Sequence, residues 1–167
     1  MPNPVDWERC LFRDDALLER PDVHDNFVYA LAVHLEQHVL VLHTQYRDGP
    51  GLHELTDVRF RGLIAHHFED VVAPSILLDI ERVPPGWVVE QWKGLFDSRK
   101  NYGWPPLEYT DLVDLIRRLA ELRVFGYRIM GSCGLDGFVL ASEAEYRQRK
   151  DPVEEAEQEA AADQLGD

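Results

Sequence analysis

The sequence predicts an α+β fold: an antiparallel sheet with an early four-strand meander, two helices and a C-terminal β-hairpin. Three observations carry this expectation. The first half alternates β-branched and aromatic residues with polar ones, the stretch after residue 84 changes to helical spacing, and an Asp-Gly pair follows a strand-like run near residue 125.

Residues 27–46 (FVYALAVHLEQHVLVLHTQY) read as two strands joined around Glu36 and Gln37. One buried helix is the alternative, since Ala, Leu, Glu and Gln favour helices and the stretch has no Gly or Pro. DGPG at 48–51 reads as a loop. In DVRFRGLIAHHFED, Val58, Phe60, Ile64 and Phe68 share one parity and Arg59, Arg61 and His67 the other, the pattern of one half-buried strand. Residues 75–83 form the fourth strand, with Ile76, Leu78 and Ile80 opposite Asp79 and Glu81.

Pro84, Pro85 and Gly86 end that strand. Val88, Gln91, Trp92, Leu95 and Phe96 then recur at helical spacing to about Lys100. A second helix spans 110–122, with Thr110 as its cap, Asp111 and Asp114 near its positive end, and Leu112, Leu115, Ile116 and Leu119 as its apolar stripe.

Asp136-Gly137 is a strong signal for a two-residue hairpin loop. That register sets Cys133 opposite Leu140 and turns the thiol into the core, where low dielectric keeps it neutral and unreactive. A nucleophile elbow fails here, because Leu135 stands where a second glycine is required.

The 167 residues suit one packed core. Residues 1–25 are expected as an acidic N-terminal segment, 26–147 as a single α+β domain and 148–167 as an acidic flexible tail. The net charge of -14 disfavours nucleic acid and anionic membranes as ligands. Most of its excess lies at the ends: 3 basic against 7 acidic residues in 1–25, and 2 against 7 in 148–167. The N-terminus lacks the pattern of a secretion signal and no apolar run reaches a membrane span, so the expected location is cytoplasmic, with no disulfide between Cys10 and Cys133.

Seven histidines raise a metal question. On the two-strand reading His34 and His43 share a face about 13 Å apart, too far for one ion. On the helical alternative His34 and His38 stand one turn apart, with His66, His67 or Glu69 as a third ligand. A metal-dependent hydrolase would need at least three of His34, His38, His66, His67, Glu69 and Asp79 to converge. No catalytic residue, metal ligand or cofactor is assigned. The assigned partner-binding residues are Tyr102 and Trp104, in the rigid loop KNYGWPP (100–106), and His67 on the exposed sheet face.

The run LTDVRFRGLIAHHFEDVVAPSILLDIE (55–81) resembles the paired-strand pattern of small uncharacterised bacterial proteins, including toxin-immunity families. The likeness covers under a sixth of the chain and holds no catalytic motif. It implies a cytoplasmic, non-enzymatic protein that binds and blocks a partner protein, and it transfers no binding residues.

Overall fold

The computed structural model describes residues 6–49, 54–151, 153, 156 and 157. The fold is α+β and mostly antiparallel sheet. Most of the expected acidic tail (148–167), part of the DGPG loop and His53 lie outside the described residues.

Three short strands open the chain: β1 (Glu8–Arg9), β2 (Leu11–Phe12) and β3 (Leu18–Arg20). They fall in the segment expected to lie outside the domain, yet Cys10, Leu18 and Val23 belong to the main core. Strands β4 (Phe27–His34) and β5 (Val39–Gln45) follow as an antiparallel hairpin, which excludes the helical alternative. The turn between them closes with His38 at φ 53° and its N–H bonded to the Leu35 carbonyl at 3.2 Å.

The expected third strand over 57–70 is two strands, β6 (Glu54–Arg61) and β7 (Ala65–Glu69). The chain bends between them: the Leu63 N–H bonds to the His38 carbonyl and the Ile64 N–H to the Leu140 carbonyl, both at 2.9 Å. Inward parity holds for Val58 and Phe60, but the bend sends Ile64 to the opposite apolar cluster.

Strand β8 (Ile76–Val83) does not extend the meander beyond β6. It joins the other side of β4, where Phe27 faces Ile76. Irregularity in its pairing around Leu77–Asp79 reverses the expected parity, so Leu77 is buried and Leu78 is 43% exposed.

The expected single helix over 88–100 is α1 (Pro85–Gln91) and α2 (Lys93–Arg99), followed by a 3-10 turn (Lys100–Tyr102). Pro85 suits the first position of α1, where its missing N–H costs nothing. Trp92 separates the two at φ -109°, ψ 31°, and its ring packs 4.8 Å from that of Phe138. Helix α3 (Leu112–Glu121) is capped by Asp111 rather than Thr110: its Oδ1 accepts the Asp114 N–H at 2.9 Å, while Asp114 Oδ2 accepts the Thr110 N–H at 3.0 Å. The helix ends with the Val124 N–H on the Leu119 carbonyl at 2.9 Å and the Arg123 N–H on the Ala120 carbonyl at 3.0 Å. These bonds form a Schellman turn with Arg123, at φ 56°, where glycine is usual.

Strands β9 (Phe125–Cys133) and β10 (Asp136–Ala141) form the expected closing hairpin in a different register. Phe138 faces Arg128 rather than Leu135, because the reversal lies at Gly134 and Leu135. Asp136 and Gly137 open β10, the former accepting the Gly131 N–H at 3.2 Å. Gly137, at φ 154°, is required for another reason: a Cβ there would lie 2.0 Å from the His67 carbonyl oxygen on β7. Cys133 therefore pairs with Ile76, not Leu140, and is exposed. The buried cysteine is Cys10, and both thiols are free.

The final strand, β11 (Glu143–Lys150), extends past the expected boundary at 147 and pairs with β6 and β1. Strands β6, β5, β4, β8, β9 and β10 neighbour one another in that order, and β10 continues through Ser142 into β11. Since β11 returns to β6, the sheet curls into a barrel. Leu42, Val58, Phe60, Tyr127, Ile129 and Val139 fill its interior, each fully buried side chain contributing about 1.5–3 kcal/mol. Strand β10 is buried on both faces: Val139 and Ala141 join the interior, while Phe138 and Leu140 join the cluster beneath the helices with Val88, Phe96 and Leu115.

Candidate functional site

The partner-binding residues expected from sequence lie on the helical side. Tyr102 is 82% exposed on the 3-10 turn. Trp104 packs against Phe96 with ring centroids 5.1 Å apart, so part of its surface belongs to the local core. His67 sits on β7 opposite Phe138, at a centroid distance of 6.2 Å, with Nε2 3.5 Å from a Glu69 oxygen. Phe96 and Phe138 connect Trp104 to His67 through a chain of ring contacts, stacked between the two phenylalanines and tilted at either end.

The histidines do not gather. His34 ends β4, the His38 Nδ1 is 3.3 Å from the Leu63 carbonyl, and His66 and His67 lie on β7 at the far end of the strand order. Asp79 lies on β8, where burial raises its carboxyl above the usual range although the Ile80 N–H bonds to it at 2.7 Å. Among the described residues no group of three or more His, Cys, Asp or Glu side chains is placed to hold a metal ion. His34 and His43 do face the same way, as the two-strand reading requires, and both border a hollow of about 370 Å³ on the outer side of β5 and β6.

That hollow adjoins a polar cluster that sequence reasoning missed. His43, Asp57 and Arg147 lie directly opposite one another on β5, β6 and β11, so the strand registers alone bring them into one row. The Asp57 side chain has no solvent exposure. It sits 2.7 Å from His43 Nδ1 and accepts from Arg147 Nε at 2.7 Å and Arg149 Nε at 3.3 Å. Burial pushes the Asp57 carboxyl up, but bonds from Arg149, Arg147 and His43 outweigh it and hold the group below the usual carboxylate range. Arg149 also donates to the Tyr29 hydroxyl at 3.0 Å, and the Tyr29 ring lies 5.9 Å from that of His43.

A second row lies alongside. Arg59 on β6 faces Glu145 on β11 and donates to it through Nε at 2.9 Å. Trp7 spans both rows, with the Arg59 guanidinium 3.9 Å and that of Arg147 4.6 Å from its ring centre. Carboxylates and an indole thus fix both guanidinium groups before any ligand arrives. The one sequence signal for this surface was EAEYRQRK (143–150), where Ala144 and Tyr146 alternate with Glu145, Arg147 and Arg149.

Asp57 orients the His43 imidazole, as an acid-base pair requires, but two arginines already engage its charge. The bonds and ring contacts hold the Arg, His, Trp and Tyr side chains of this face in fixed positions. Among the described residues no helix is long and apolar enough to cross a membrane. No family model matches the chain, and the searches of curated proteins and solved structures found no match.

Proposed function

We propose that this is a non-enzymatic binding protein that engages a partner protein through the outer face of β4, β5, β6 and β11. The carrying observation is Trp7 stacked on Arg59 and Arg147 beside Tyr29 and the buried Asp57. Tryptophan, tyrosine and arginine are the residue types that dominate binding energy at protein interfaces, and fixing them beforehand reduces the entropy lost on docking. Arg59, Arg61, Arg147 and Arg149 outnumber Asp57, Glu143 and Glu145 around this face, the reverse of the balance in the whole chain. The face therefore suits an acidic patch on the partner.

The likeness of residues 55–81 to immunity-type proteins supports a specific form of this reading, in which binding silences the partner within the cytoplasm. The Tyr102, Trp104 and His67 surface is the second candidate for contact, supported by the high exposure of Tyr102.

Capture from native-cell extract, quantified by mass spectrometry, tests both surfaces. The double substitution Trp7→Ala with Tyr29→Ala should remove the partner while circular dichroism shows an intact fold. Tyr102→Ala with Trp104→Ala should retain it. Equal capture by the first variant overturns the assignment of the face, and a wild-type bait that enriches no protein over a mock bait overturns the binding function.

A further inference from the structure

A cavity of about 910 Å³ lies between the N-terminal strands, the C-terminal end of α3 and the start of β9, and of the residues assigned to the proposed partner face only Glu143 borders it. Its volume lies in the range of small-molecule sites. Cys10, Phe12, Val83 and Tyr127 line it together with Leu122 and Phe125, which remain 50% and 39% exposed. Large apolar side chains are thus left open in a concave surface.

Three arginines, Arg9, Arg82 and Arg123, border the same cavity, against one acidic residue in its lining, Glu143. Arg9 meets Glu143 at 3.5 Å. Arg82 and Arg123 have no carboxylate partner among the described residues, in a chain where 31 acidic residues face 17 basic ones. Arg82 is held between two rings, 4.8 Å from the centre of Phe12 and 5.2 Å from that of Phe125. Arg123 occupies the left-handed position that ends α3, where a side chain is strained and glycine is the usual solution. The Tyr127 hydroxyl has no hydrogen-bond partner among the described residues, and burial pushes its pKa up, so it remains a donor at neutral pH.

We infer that this cavity binds an amphipathic monocarboxylate, its alkyl chain lying along Phe12, Leu122 and Phe125 and its carboxylate meeting Arg82 and Arg123. The apolar wall supplies the affinity for the chain. The two guanidinium groups, neither with a carboxylate partner among the described residues, select the anion, since charge-assisted bonds to a carboxylate are the stronger kind. The strained backbone at Arg123 gains a reason: it holds a cation at the mouth of an apolar cavity.

Calorimetric titration of the full chain with decanoate, decanol and acetate tests the inference. Decanoate should bind saturably, with decanol and acetate each at least about tenfold weaker. Arg82→Ala and Arg123→Gly should each weaken decanoate about tenfold, and the second should do so while the protein melts at a higher temperature, which separates lost binding from lost folding. Three results would overturn it: no saturable binding of decanoate up to about 1 mM, equal binding of decanol, or unchanged decanoate affinity in both arginine variants.

Discussion

Replacing Arg123 by glycine should stabilise the protein. Arg123 holds φ 56° at the end of α3, a conformation that costs an L-residue about 1–2 kcal/mol. Glycine escapes that cost but loses about 0.5–1 kcal/mol of additional chain freedom on folding. The difference predicts a net gain of about 0.5–1 kcal/mol, or a rise of about 2–3 °C in Tm for a chain of this length. No ion pair among the described residues is lost to offset it. Urea titration and thermal melting of wild type, Arg123→Gly and Arg123→Ala provide the assay. Alanine retains the strained backbone and should stay within about 0.5 kcal/mol of wild type. A glycine variant no more stable than the alanine variant would refute the reasoning, because the backbone at 123 would then store no strain.

Asp57→Asn should destabilise the fold by about 2–3 kcal/mol in urea, less than the 3–5 of a fully buried pair because Arg147 and Arg149 keep 34% and 32% of their side chains exposed. The folded pKa of Asp57 lies below its unfolded value, so its contribution is present above about pH 4 and fades as the pH falls through the folded value; the gap between wild type and Asp57→Asn should narrow in titrations near pH 3. Asp111→Ala removes the acceptor for the Asp114 N–H and should cost about 1 kcal/mol, read as a lower urea midpoint at constant slope. A thiol reagent should modify Cys133 in the native protein well before Cys10, since burial, with Glu145 adding to it, pushes the Cys10 thiol up to about 12. Peptide mapping that finds Cys10 labelled first would contradict the packing described.

Composition favoured the hairpin of β4 and β5 over a helix, and periodicity made the inward Val58 and Phe60 and the stripe of α3 legible, because each depends on neighbours close in sequence. What stayed hidden depends on distant partners. The bend after Arg61 is fixed by the His38 and Leu140 carbonyls, and the irregularity near Leu78 by β9, neither visible within the strand itself. Asp136-Gly137 carries a constraint other than the expected one: Gly137 admits the backbone of β7 instead of making the turn. That substitution of roles moved Cys133 from the core to the surface. Asp57 resembled any other strand carboxylate until β11 supplied its arginines. The charged residues of β11 concealed a strand in which Ala144 and Tyr146 were the informative positions.

Only Ser142 stands between β10 and β11, so the same continuous stretch of chain borders β9 at one end and β6 at the other. During synthesis β6 leaves the ribosome with one row of N–H and C=O groups unmet until residues 143–150 emerge, and Glu8 waits for Tyr146. Ring closure therefore requires residues 143–150. A nascent chain halted near residue 142 would display the flank of β6 as an adhesive template for other copies, while eight further residues seal it.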